Sequence, residues 1–190
     1  MFPIYATYLR RDSIMYITNV VFSANIGCEI DLRKLCYRLT NVRYDPRRFP
    51  GLIWQHKNIG GNCLIFSNGV INCNGKAASP EDCRLRLRRY ARRLQRLGYP
   101  VNLKDVKCIT VSATHTLSDA IDIQKLARER SFVIYEPELF PAANFKDEGV
   151  NFCCFTSGKV IITGVTSANQ MEDSVYPTLI ELELYTRKKL

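Results

Sequence analysis

Nothing in this 190-residue sequence pairs its cysteines. Cys28, Cys36, Cys63, Cys73, Cys83, Cys108, Cys153 and Cys154 contain no CxxC spacing, and only two histidines accompany them. That pattern indicates neither a zinc cage nor a disulfide framework, so the thiols are expected as small reduced core residues. No apolar run approaches the roughly 18 residues of a membrane span, and the N-terminus lacks the basic-then-apolar order of a signal peptide. A soluble, intracellular protein without a membrane partner is therefore expected. Acidic residues are the scarcer sign, 18 against 27 basic ones, and the net charge of +9 favours a polyanionic partner, nucleic acid first. Catalytic patterns are missing too. Gly69 to Lys76 imitates a phosphate loop, but the glycines are spaced wrongly and Ala77 stands where Ser or Thr is required. His56 and His115 have no nucleophile partner in sequence and are expected in satisfied structural roles. Neither an enzyme nor a cofactor is indicated.

What the sequence does contain is a duplication. RYDPRRFP (43–50) recurs as IYEPELFP (134–141), and LIFSNGVINCNG (64–75) recurs as CCFTSGKVIITG (153–164), at offsets of 91 and 89 residues. Two copies of one unit follow, over 16–100 and 101–190, behind a short extension over 1–15.

Each copy reads strand, helix, several strands, helix. In the first, Ile17 to Ala24 predicts a strand, Gly27 a turn, and Asp31 the start of a helix whose Leu32, Leu35, Cys36 and Leu39 share a face. Leu52 to His56 and Asn62 to Phe66 read as strands, and Asn68-Gly69 marks a tight hairpin into Val70 to Asn74. Ser79 as N-cap, Pro80 at the first helical position, Glu81 and Asp82 in the first turn and Gly98 at the end delimit a long helix. Its Cys83, Leu87, Tyr90, Ala91 and Leu94 form one apolar stripe, and Arg84, Arg86, Arg88, Arg89, Arg92, Arg93 and Arg96 occupy the other side. The second copy predicts strands at Val106 to Ala113, Phe132 to Tyr135, Asn151 to Thr156 and Lys159 to Thr163, with a helix after Ser118. A last helix carries Met171 and Val175, and Pro177 is expected to break or kink it.

YEPELFP (135–141), SGKVIITG (157–164), LIFSNG (64–69), NIGCEIDLRKL (25–35) and RRYARRLQRLGYP (88–100) resemble the core of the TATA-binding-protein family, in order, from about Tyr16 onward. The resemblance implies an α+β saddle: two pseudo-symmetric repeats forming a curved ten-stranded antiparallel sheet, with four helices on its convex face. It implies a nuclear initiation factor, or a virus-encoded one acting where that virus transcribes, that binds and bends promoter DNA through the minor groove. A minor-groove binder gains little from base edges, where A·T and T·A look alike, and works instead by prying open deformable steps. By resemblance the wedges are Phe49 with Phe66 and Phe140 with Phe155. Asn19, Val21, Arg48, Leu64, Asn72, Asn74, Thr110, Ser112, Lys146, Lys159, Ile161 and Thr163 complete the expected DNA-facing set.

Departures from the family pattern lie in that same set. Thr110 and Ser112 stand where the family has Asn and Val, and Asn72 and Asn74 where it has Val and Thr. Strict TATA preference is accordingly expected to relax. Phe140 and Phe155 are 15 residues apart against 17 for Phe49 and Phe66, and the shortened segment brings in Asp147 and Glu148. Glu136, Glu138 and Leu139 fall where the family contacts transcription factor IIB, and a IIA-type factor is a further implied partner. Arg84, Arg88 and Arg92 on the long helix are candidates for an acidic regulator. The alternative reading is a protein-binding scaffold of the same fold that has largely lost DNA binding.

Overall fold

The computed structural model describes residues 15–187. Of the expected extension over 1–15, all but the last residue lies outside them. The chain forms two compact units, one spanning Ile17–Val111 and the other built from Ser112 onward.

In the first unit the strands are β1 (Tyr16–Asn25), β2 (Val42–Arg43), β3 (Leu52–Trp54), β4 (Asn62–Ile65) and β5 (Val70–Gly75), with helices α1 (Leu32–Arg38) and α2 (Pro80–Arg96). They hydrogen-bond in the order β2-β3-β4-β5-β1, all antiparallel. Alternation along each strand decides what is buried. Val20, Phe22 and Ala24 of β1, Leu52 and Trp54 of β3, Cys63 and Ile65 of β4, and Ile71 and Cys73 of β5 point to the core. There they meet Leu32 and Leu35 of α1 and the stripe of Cys83, Leu87, Tyr90, Ala91 and Leu94 on α2. Burying a stripe of this kind stabilises by about 1.5–3 kcal/mol per large side chain. The helix ends are satisfied as their sequences predict: Asp31 accepts from the Lys34 amide at 3.0 Å and Ser79 from the Asp82 amide at 3.2 Å. Tyr90 is buried between Trp54 and the β3–β4 loop, where its hydroxyl accepts from the His56 amide at 3.1 Å; burial pushes its pKa up to about 12.

The second unit repeats the plan. Strand β6 (Lys104–Thr116) starts in the first unit and ends in the second. It is followed by β7 (Ala120–Ile121), α3 (Ile123–Glu129), β8 (Ala142–Asp147), β9 (Val150–Phe155) and β10 (Lys159–Val165). A helical run closes the fold: α4 (Ala168–Gln170), a π-helical segment (Met171–Val175) and α5 (Tyr176–Glu183), before β11 (Thr186–Arg187), which pairs with β7. Strands β6, β10, β9 and β8 are neighbours in that order, so nine strands belong to the large antiparallel sheet. No helix among the described residues is long and apolar enough to cross a membrane.

Four local expectations change. The tenth strand, expected at Phe132 to Tyr135, is reduced to a single bridge between Ile134 and Asn144, made by backbone bonds of 2.8 and 2.9 Å. Phe132 takes a left-handed φ of +60° just before it, and the tight turn at Pro137 follows, so no longer pairing develops. The helix expected after Ser118 begins instead behind Asp122, whose carboxylate caps it by accepting from the Lys125 amide at 3.0 Å, while Ser118 is bonded to Glu183. Strand β8, AANFKD, was not anticipated, because it lacks β-branched residues. Of the break or kink expected at Pro177, the break does not occur, and the helical run continues through it. A proline has no amide donor and its ring crowds the carbonyl four residues back, and the wider π-helical turn directly before it absorbs both.

Candidate nucleic-acid interface

A strand buries one face, so the alternate residues define the other. In the first unit that second face holds Asn19, Val21 and Ser23 of β1, Asn72 and Asn74 of β5, Asn62 and Leu64 of β4, and Ile53 of β3, all partly exposed. Register arranges them in rows: Val21, Asn74 and Asn62 lie side by side, as do Ser23, Asn72, Leu64 and Ile53. Asn19 uses its amide oxygen to accept from the Gly75 amide at 3.0 Å, and the Asn62 oxygen accepts from Gln55 at 2.7 Å. Thr110 lies on the part of β6 that belongs to this unit.

In the second unit Ser112 of β6 takes the corresponding place, opposite in facing to the buried Ala113. Thr163 lies beside Asn151 and Lys146, Ile161 beside Cys153 and Asn144, and Phe155 beside Ala142. Lys159 starts β10 on the same face and is exposed. In the row through the middle of each face, Ile161 stands here where the first unit has Asn72. The outer grooves differ in the same sense. One of about 800 Å³ is lined by Asn41, Arg43, Gln55, His56, Lys57 and Asn62; its counterpart of about 550 Å³ is lined by Phe132, Ile134, Cys153 and Ile161 among others.

The four phenylalanines form two matching pairs. Phe49 and Phe66 meet edge to face at 5.8 Å between centroids and 68°, and Phe140 and Phe155 at 6.0 Å and 65°. Phe49 is 36% and Phe140 45% exposed, unlike the core phenylalanines Phe22, Phe145 and Phe152. Each outer ring is set by a single helical turn. The Arg48 and Phe49 amides both donate to the Asp45 carbonyl, and the Leu139 and Phe140 amides to the Glu136 carbonyl. Gly51 leaves room for the first pair, since a Cβ there would stand 2.6 Å from the Phe49 ring and 3.0 Å from that of Phe66. The inner rings follow hairpins whose glycines have no substitute. Gly69 and Gly158 sit at φ +83° and +85°, and a Cβ on either would approach a carbonyl oxygen to 2.3 or 2.4 Å.

The two turns differ in chemistry. Asp45 spends its carboxylate inside the turn, accepting from the Arg47 amide at 3.2 Å and lying 3.7 Å from Arg48. Glu136 and Glu138 are exposed, and Leu139 is 81% exposed beside them. Asp147, expected to bring negative charge to this region, is turned to the helix side. It accepts from Ser174 at 3.1 Å and Thr178 at 3.0 Å, leaving Lys146 on the open face. On α2, Arg84 is bidentate with Glu81 at 2.6 and 2.7 Å and Arg86 is bonded to Asp82 at 2.7 Å; Arg88, Arg89, Arg92, Arg93 and Arg96 are exposed. His56 is held as expected, accepting from the Asn58 amide at 3.2 Å. His115 is not: it is buried, neither ring nitrogen bonds a described residue, and burial holds its pKa below the usual value.

Sequence reasoning missed Asn62, Ser23, Cys153 and Gly51. Strand alternation carries the first three, since each lies two residues from, or directly across from, a residue that was singled out.

The family model for transcription factor TFIID, or TATA-binding protein, matches residues 14–97 and 105–183. The chain belongs to the TATA-binding-protein family. TATA box-binding protein-like 2 of Rattus norvegicus is 37% identical over 167 residues, which cover 85% of this chain and 48% of that protein. TATA-box-binding protein 1 of Triticum aestivum is 33% identical over 169 residues, 86% of this chain and 72% of that protein. The chain thus spans about half the length of the first of these relatives. The solved structure of Methanococcus jannaschii TBP superposes with a TM-score of 0.77 at 31% identity, over 90% of this chain and 98% of that one. The nine-stranded sheet and its helices are accordingly the TATA-binding-protein fold.

Proposed function

We propose that this domain acts in transcription initiation, in the nucleus, by binding promoter DNA in the minor groove and bending it with the two phenylalanine pairs. The observation that carries the reading is the recurrence of one arrangement: an outer ring on a helical turn, edge to face with an inner ring after a hairpin, both on the open side of the sheet. Two partly exposed aromatic pairs in matching places are poor core residues and good wedges. Unstacking a base step costs about a few kcal/mol for any such binder and is offset by the larger surface the bent duplex presents. Family membership and the excess of basic residues support the same reading.

The test is end-to-end fluorescence transfer across a labelled duplex. Replacing Phe49, Phe66, Phe140 and Phe155 together by Ala is expected to abolish bending. Equal bending by wild type and the four-Ala variant overturns the wedge assignment. A wild-type protein that bends no duplex would favour instead a scaffold of the same fold.

The finer reading includes relaxed TATA preference, from Asn72, Asn74, Thr110 and Ser112, with Asn19, Val21, Arg48, Leu64, Lys146, Lys159, Ile161 and Thr163 as further contacts. It also includes recruitment of a transcription factor IIB-type partner by Glu136, Glu138 and Leu139, alongside a IIA-type factor. Arg88 and Arg92 of α2, exposed, suit an acidic regulator, whereas Arg84 of the same expected set is engaged by Glu81.

A further inference from the structure

We infer that the first repeat accepts a guanine 2-amino group in the minor groove, through Asn72, whereas the second repeat excludes it. The inference rests on the DNA-binding reading above and adds a specificity to it.

The minor groove carries one feature that separates G·C from A·T, the 2-amino donor of guanine; both A·T orientations show acceptors only. A face lined by Val or Ile leaves that donor desolvated and unbonded, which is how an apolar strand selects against G·C. In the second repeat the apolar Ile161 stands at this place, with Cys153 and then Asn144 across from it on β9 and β8. In the first repeat the place belongs to Asn72, with Ser23 and Leu64 directly across from it on the two neighbouring strands. Its Oδ1 is shielded and bonds to no described residue, so turning the amide to bring this oxygen to the open face gives up no hydrogen bond and relieves a costly unsatisfied group. Two other amides of this face are differently placed. The Asn19 oxygen is held by the Gly75 amide and the Asn62 oxygen by Gln55. Half a turn about the Asn72 amide presents either its oxygen to a guanine amine or its NH2 to an adenine or thymine acceptor. Asn72 therefore tolerates both pairs where Ile161 tolerates one.

Diaminopurine paired with thymine shows the minor groove of G·C without changing the major-groove pattern, and isolates this contact. Gel-shift titrations would use an all-A·T duplex, one with diaminopurine in a single half, and one with it in both halves. Because the protein can turn to place the modified half against Asn72, wild type is expected to bind the first two alike and the third about tenfold more weakly, the ordinary penalty of one mismatched pair. Asn72→Val, its fold certified by an unchanged thermal melt, is expected to bind the singly modified duplex about tenfold more weakly than its own all-A·T duplex, a loss wild type does not show. Ile161→Asn is expected to restore binding to the doubly modified duplex. If wild type and Asn72→Val respond identically to diaminopurine while both bind all-A·T DNA, the assignment of Asn72 is overturned. If wild type binds none of the duplexes, the DNA-binding reading fails and takes this inference with it.

Discussion

Gly51 is a residue whose importance lies in what it omits. Its backbone is ordinary, but the space where its Cβ would be belongs to the rings of Phe49 and Phe66. The second repeat carries Ala142 at the matching place and still keeps its rings 6.0 Å apart, so one methyl can be accommodated by a small ring displacement. Gly51→Ala is therefore expected to cost less than about 1 kcal/mol, within the range of a mild substitution. Gly51→Val adds branching that the pair cannot absorb and is expected to cost about 1–3 kcal/mol, as overpacking does. Urea denaturation of the two variants checks this. Equal stabilities for wild type and the Val variant would show that the ring pair yields freely and that Gly51 does not set it.

At the scale of elements, α2 divides its arginines into two populations. Arg86 is largely buried, bonded to Asp82 and to the Lys76 carbonyl, both at 2.7 Å, and lies against Gly60 and Gly61. Removing it with Arg86→Ala is expected to destabilise the fold by about 1–2 kcal/mol, through lost charge-assisted bonds and lost stem packing. Arg88, Arg92 and Arg96 follow one another at four-residue spacing on the exposed side, an arrangement that repels itself. Arg92→Glu is expected to leave stability intact or raise it slightly, because it converts two repulsions into attractions. Thermal melts at low salt measure both, and a fall in stability for Arg92→Glu would mean that this side of the helix already has an anionic partner within the chain. The sequence made α2 legible because cap, proline, acidic first turn and apolar stripe all agree. Elsewhere the signals were divided. AANFKD carries no β-branched residue, and its place as β8 is fixed by pairing with β9 that no local pattern announces. Asp122 and Ser118 are both plausible caps, and Glu183, 65 residues further on, takes Ser118 out of contention. The wedge positions could be read because the repeat supplied each with a counterpart; Asn62 and Cys153, away from recognisable motifs, depended on register.

For the whole molecule, the duplication has left two units alike in plan and different in chemistry. Asp45 and Glu136 occupy the same turn, yet Asp45 is consumed locally by Arg47 and Arg48 while Glu136 and Glu138 face solvent. Negative charge that does nothing for its own turn suits a basic partner surface and chiefly governs encounter rate and register. Reversing both, Glu136→Arg with Glu138→Arg, is expected to abolish recruitment of a IIB-type factor while bending of DNA alone persists; unchanged recruitment in a three-component gel shift would overturn that assignment. Strand β9 offers a means of watching the open face at work. Cys153 and Cys154 are adjacent in sequence, but a strand alternates, so Cys154 is buried with its pKa pushed up to about 12 while Cys153 stays within reach of solvent. One tryptic peptide therefore carries a reporter thiol and its own inert standard. Partial burial raises the Cys153 pKa as well, so alkylation at a pH above the usual thiol range should label Cys153 and spare Cys154. A bound duplex should slow that labelling severalfold, giving a footprint read by mass spectrometry from the natural sequence with no engineered probe.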